Sequence, residues 1–327
     1  MFSIALKDLI NPRKIDELDR QADSEIKLRG YDLKAKVPSD LKTKEWYLPV
    51  NEIVSDFCPS ERYFYLRKYR KEVPRQLTWT IFKGRVIDDL YEDLFKKFQK
   101  YVSSTHLKQL YIKENLEKYR EGKLVLIRDE IEKQKDSMIR KPAAEEIENV
   151  LKNIDKLLRF ECQICGTILD FKISMKKDIN LKSEVALLFS FTFKPKIYSL
   201  DLGFTEGISP DFLYGQRTIG EIKTGVWKDM FNLSCAAYAL AYENENQKNM
   251  NLMIVLNPSF DINRTVPLYP NLDAGIIHDR YRKAVITLRN RRIELIKKNK
   301  DPGLPDDRHS CVNCCYYNFC WRENGKG

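Results

Sequence analysis

Asp211 stands ten residues before Glu221-Ile222-Lys223 in the run SPDFLYGQRTIGEIKTG. Side chains alternate across a strand, so Glu221 and Lys223 share one face and Ile222 takes the other. A turn at residues 215–217 would fold the two runs into a hairpin and bring Asp211 near Glu221. Two carboxylates beside a lysine can hold Mg²⁺ or Mn²⁺, which prefer hard oxygen ligands and keep several waters. Asp211 and Glu221 would supply two oxygens, and the Ile222 carbonyl a third. A water acidified on such a cation attacks phosphorus, and Lys223 would orient it or offset charge building on the phosphate. The chemistry implied is phosphodiester hydrolysis. The competing reading is a surface hairpin of ordinary charged residues, because Glu-x-Lys alone recurs by chance.

Asp88 would join this set from a helix. Gly84 and Asp88 lie four residues apart and so share a helix face. The small Gly84 lets that helix approach the sheet closely enough for Asp88 to reach the same cation. Alternatively, Asp88, Asp89, Glu92 and Asp93 form only the solvent face of an amphipathic helix.

Several elements must position these residues. Apolar spacing at Val86, Leu90, Leu94 and Phe98 predicts a long helix over 79–102. Residues 47–70 read as a short helix, a break at Cys58-Pro59 and a second helix, with Pro59 in its first turn. Residues 103–160 read as a charged helical insertion with breaks near Glu121-Gly122 and Lys141-Pro142. SEVALLFSFTF, KIYSLDLGF, DFLYG and TIGEIKTG, within 181–225, read as strands. A helix over 228–246, a buried strand at 251–258 and a basic helix over 274–300 follow. The sum is an α/β core with a helical half. It divides into an N-terminal helical region (1–78), a helix with charged insertion (79–180), a core (181–300) and a Cys-rich end (301–327).

Eight cysteines are present, and Cys311-x₂-Cys314-x₅-Cys320 crowds the C-terminal end together with Cys315. Closely spaced thiolates plus one distant cysteine suit an iron–sulfur cluster or a tetrahedral zinc. The fourth ligand could be Cys58, or could come from Cys162-x₂-Cys165-Gly166, which has knuckle-like spacing. The 327 residues carry 57 Lys and Arg against 47 Asp and Glu, a net of +10 that is compatible with a polyanion. Arg282, Lys283, Arg289, Arg291, Arg292, Lys297 and Lys298 on the basic helix would form a DNA-contact face, or else simply a solvated one. No apolar run is long enough to span a membrane, and the N-terminus lacks signal-peptide character. A cytoplasmic protein is the expectation.

These elements, in this order, resemble the CRISPR-associated RecB-like nucleases with an iron–sulfur cluster, the Cas-four superfamily of PD-(D/E)XK type. The resemblance is closest to the longer variant of archaeal subtype I-A systems, and it covers about residues 50–321. Cys58-Pro59 matches the family's first cysteine, Asp211 its isolated Asp, and Glu221 with Lys223 its paired motif. Tyr238 matches its tyrosine, and Cys311, Cys314 and Cys320 its terminal trio. Two positions depart: the family's histidine falls on Asp88 and its glutamine on Ser234. The resemblance implies a restriction-endonuclease-like α/β fold, with a mixed sheet flanked by helices. It implies Asp88, Asp211, Glu221, Lys223 and Tyr238 as the catalytic set, with Mg²⁺ or Mn²⁺. It also implies an iron–sulfur cluster on Cys58, Cys311, Cys314 and Cys320, [4Fe–4S] ahead of [2Fe–2S], with zinc the alternative. The expected activity is that of a DNA exonuclease on single-stranded ends, trimming prespacer DNA alongside the CRISPR integrase proteins. The departures leave a non-catalytic DNA-binding adapter as the second reading, and homo-oligomer formation stays open.

Overall fold

A computed structural model describes residues 12–41, 47–55, 58–73, 75–103, 109–174, 191–215, 217–223, 229–259, 268–311 and 314–323. The elements run α1 (Pro12–Glu25), α2 (Val50–Val54), α3 (Arg62–Tyr69), α4 (Trp79–Ser103), α5 (Gln109–Gln134) and α6 (Ala144–Ser174). Then come β1 (Phe191–Phe193), β2 (Phe212–Tyr214), β3 (Thr218–Ile222), α7 (Met230–Asn246), β4 (Leu252–Ser259), β5 (Leu268–Ile276) and α8 (Asp279–Lys298).

The strands form one five-stranded sheet in sequence order. β1, β2 and β3 pair antiparallel, as do β4 and β5. β3 and β4 pair parallel, so the chain must cross between them, and α7 is that crossover. All five positions of β3 are buried, the polar Thr218 and Glu221 included, which marks it as a central strand covered on both faces. Leu213, Ile219, Met253 and Val255 pack with α7, α8 and α2. Phe212, Ile222, Ile254 and Leu256 face the other way, into a core with α4, α5 and α6. Helices therefore cover both faces, and the fold is mixed α/β as expected.

Ile87, Leu90, Tyr91 and Leu94 give α4 its buried stripe. Two expectations for the helices need correction, at Gly122 and Pro59, and the one at Pro142 holds. The helix expected to break at Gly122 runs through it, because one interior glycine costs only about 1 kcal/mol. The break at Pro142 falls between α5 and α6. Pro59 sits in a turn and not in a first helical turn; α3 starts at Arg62, behind Glu61 at φ 64°.

Two strand expectations also change. KIYSLDLGF makes two isolated bridges, Ile197 with Ile208 and Phe204 with Leu48, on either side of a 3-10 turn at Leu200–Leu202 closed by Gly203 at φ 75°. β5 occupies part of the span expected as helix. Pro270, Asn271 and Gly275 hide it in the sequence, and an edge strand tolerates such residues. Residues 183–190 of the first expected strand lie outside the described residues.

The basic helix α8 turns arginines inward. Arg282 is fully buried and donates to Glu243, the Ile277 carbonyl and the Met250 carbonyl. Arg289 is 1% exposed and donates to the carbonyls of Ala35 and Leu202. Arg292 pairs with Glu61, donates to the Ser55 carbonyl and lies over the Phe64 ring. Arg282, Arg289 and Arg292 are therefore not a DNA-contact face; they fasten the N-terminal segments onto α8. Arg291 is solvent-facing, beside Glu61. Among the described residues no helix is long and apolar enough to cross a membrane.

Candidate active site and cysteine cavity

Continuing the β2–β3 register by one position sets Asp211 directly across from Glu221. The Ile222 amide donates to Asp211 Oδ2 at 2.6 Å, which locks the carboxylate to the end of β3. Lys223 pairs with Glu221, and its amide donates to the Leu256 carbonyl at 2.7 Å. The hairpin thus gathers Asp211, Glu221, Ile222 and Lys223 at one end of the central strands.

Phe212 makes that register specific. It faces Gly220 across the ladder, and a Cβ on Gly220 would lie 2.0 Å from the Phe212 ring. Gly220→Ala is expected to push Phe212 aside and lower stability by about 1–3 kcal/mol, with the site distorted as well. Chemical denaturation compared with the wild type checks this.

Burial, and then the neighbouring Glu221 charge, push the Asp211 carboxyl up to about 8, against the pull of Lys223. Burial disfavours the Lys223 ammonium, but the Glu221 carboxylate, and Asp211 once ionised, raise its pKa above the usual value. Glu221 is 1% exposed, and among the described residues its Oε1 has no hydrogen-bond partner. Such an oxygen carries an unrelieved desolvation cost, which a divalent cation would remove. Asp211 and Glu221 therefore have the donor chemistry for Mg²⁺ or Mn²⁺.

Asp88 does not complete this set. Its Oδ2 lies 2.9 Å from Lys194, just beyond β1. Among the described residues no three His, Cys, Asp or Glu side chains converge in a form that could hold one metal ion. Asp88 is nevertheless close enough for its charge to raise both the Asp211 carboxyl and the Tyr238 phenol. Tyr238, on α7, has its pKa raised well above the usual range by burial and by Glu221 and Asp211, so it stays a protonated donor. Ser234, at the family's glutamine position, is buried one turn earlier on the same helix. Sequence reasoning missed Lys194, which meets both Asp88 and Glu92. The available signal for Lys194 was a lone lysine ending an apolar strand in a chain with an acidic helix face.

Cys58, Cys311, Cys314 and Cys320 line one cavity with Arg62, Tyr63, Leu66 and Pro305. The Tyr63 amide points to Cys58 Sγ at 3.4 Å and the Tyr316 amide to Cys314 Sγ at 3.5 Å. Burial pushes the Cys320 thiol up to about 11, with Arg62 pulling it down and Cys58 and Cys311 pushing it further up. With its pKa raised, the Cys320 thiol is protonated at neutral pH and would have to give up that proton to bind a metal. The Cys162-x₂-Cys165 spacing forms no knuckle: both residues are inside α6, and Cys162 is buried against the Leu116 carbonyl. Burial raises its thiol to about 12.

Fold and site together define a mixed α/β protein with a carboxylate–lysine cluster at its central strands. The chain belongs to the CRISPR-associated exonuclease Csa1 family, whose model matches residues 1–323. It is thus a CRISPR-associated nuclease by family. A search among curated proteins found no match.

Proposed function

We propose that this chain is a divalent-metal-dependent DNA exonuclease that trims single-stranded prespacer ends before the CRISPR integrase proteins act on them. The observation that carries the reading is the buried Oε1 of Glu221, partnerless among the described residues, beside Asp211 and Lys223. A sheet with a parallel pair around a crossover helix also suits a restriction-endonuclease-like core.

Asp211 and Glu221 would hold Mg²⁺ or Mn²⁺, which when bound supplies an acidified water and Lewis-acid stabilisation. Lys223 keeps its proton and places a positive charge where phosphate charge develops. Tyr238 keeps its phenol proton and presents a hydrogen-bond donor from α7. The strands β2 and β3 fix these groups before substrate arrives, so little reorganisation is needed.

The four cavity cysteines would hold an iron–sulfur cluster. They line one cavity, and an iron–sulfur cluster takes four such thiolates, as would a tetrahedral zinc ion. Amides aimed at two of the sulfurs support the same reading, since such bonds stabilise thiolate ligands.

The test uses DNA labelled separately at each end, single- and double-stranded, with Mn²⁺ or with chelator. Progressive shortening of single strands only with metal is the expected result. Binding without cleavage under every divalent cation would sink the nuclease reading and leave the adapter role. Protein purified anaerobically is expected to be brown, and Cys58→Ala to lose the visible absorption; a colourless wild type would point to zinc.

A further inference from the structure

The catalysis proposed above leaves one lysine at the sheet edge unexplained. Lys194 follows β1 at φ 42°, a conformation that costs a non-glycine residue on the order of 1 kcal/mol. Its amide donates to the Asp211 carbonyl at 3.0 Å. Its ammonium lies 2.9 Å from Asp88 Oδ2, 2.6 Å from Glu92 Oε2 and 3.9 Å from Asp89 Oδ1. Asp88 and Glu92 are one turn apart on α4, so Lys194 ties the strand end to that helix.

The two main carboxylates are not equivalent. Glu92 is 22% exposed in its side chain and has its other oxygen on Lys96. Asp88 is more open, at 37%, and its charge is felt at Asp211 and Tyr238. Glu92 is thus a fixed anchor for Lys194, and Asp88 is the partner that can leave.

We propose that Lys194 is a positioning residue that competes with the divalent cation for Asp88, and so sets the cation affinity of the Asp211–Glu221 site. The ammonium satisfies Asp88 while the cation is absent. When the cation binds, Asp88 turns from Lys194 toward it, and Lys194 stays on Glu92. Each cation that arrives must therefore break one ion pair and approach one positive charge. This inference rests on the metal reading given under the proposed function.

Mn²⁺ binding to the full-length chain, titrated calorimetrically without DNA, tests it. Lys194→Met is expected to bind Mn²⁺ about fivefold more tightly, because a partly exposed ion pair contributes about that factor. Lys194→Arg should match the wild type. The gain should vanish when Asp88→Asn is added to Lys194→Met. Equal or weaker Mn²⁺ binding by Lys194→Met, with its melting temperature retained, overturns the proposal, as does a gain that survives Asp88→Asn. Should the methionine variant melt early, Lys194→Gln gives the same readout with a polar, uncharged side chain. Wild-type binding no tighter than that of Asp211→Asn would overturn the metal reading itself, and this inference with it.

Discussion

Lys223→Met is expected to slow metal-dependent DNA degradation about a thousandfold, the size typical of losing one charge-stabilising donor or positioned proton-handling group. Lys223 is the cation paired with Glu221, whose charge keeps it protonated. Methionine keeps the aliphatic stem and the packing but removes the charge. Single-turnover rates and DNA affinity in Ca²⁺ separate the two contributions. A large loss of rate with little loss of affinity marks a group acting in the transition state. Near-wild-type rates would remove Lys223 from the site. The same centre has a pH signature. The Asp211 carboxyl is held near 8 without metal, so it is protonated at neutral pH and the cation must displace that proton. Metal affinity should rise as pH climbs toward 8 and level off above it.

Glu243→Ala is expected to cost about 3–5 kcal/mol of stability, the usual result of removing one partner from a buried ion pair. Glu243 is fully buried. Its Oε1 accepts from Arg29 at 3.0 Å and from the Met250 amide at 3.0 Å. Its Oε2 accepts from Arg282 at 2.7 Å and from the Gly30 amide at 2.8 Å. Alanine would take the shared acceptor from Arg29, Arg282 and the Gly30 and Met250 amides, leaving Arg282 in the interior with carbonyl partners but no counter-charge. Urea unfolding of the variant against wild type measures the loss. A change under 1 kcal/mol would mean that water enters and relieves the arginines.

Much of the site was legible because local patterns carried it. The two apolar runs around a turn at Gly215 specified a hairpin, and a hairpin fixes which residues face each other. Asp211 opposite Glu221 followed from that. The stripe at Leu90 and Leu94 likewise specified α4. The errors came where tertiary partners decide. The α8 arginines read as a solvent or DNA face because arginine is seldom buried; backbone carbonyls of Ala35 and Leu202, far away in sequence, make burial tolerable for Arg289. Asp88 was placed correctly on its helix, but its partner depended on Lys194, more than a hundred residues away. β5 escaped because an edge strand need not alternate.

The inward arginines have an electrostatic corollary. Among the described residues the buried charged side chains are Arg29, Arg120, Arg282, Arg289 and Arg292 against Glu52, Glu61, Glu161, Glu221 and Glu243. Five positive and five negative groups balance, so that set contributes no net charge. The excess of +10 is therefore not hidden there, and a polyanion approaching from solution meets it in a form that dissolved salt can screen.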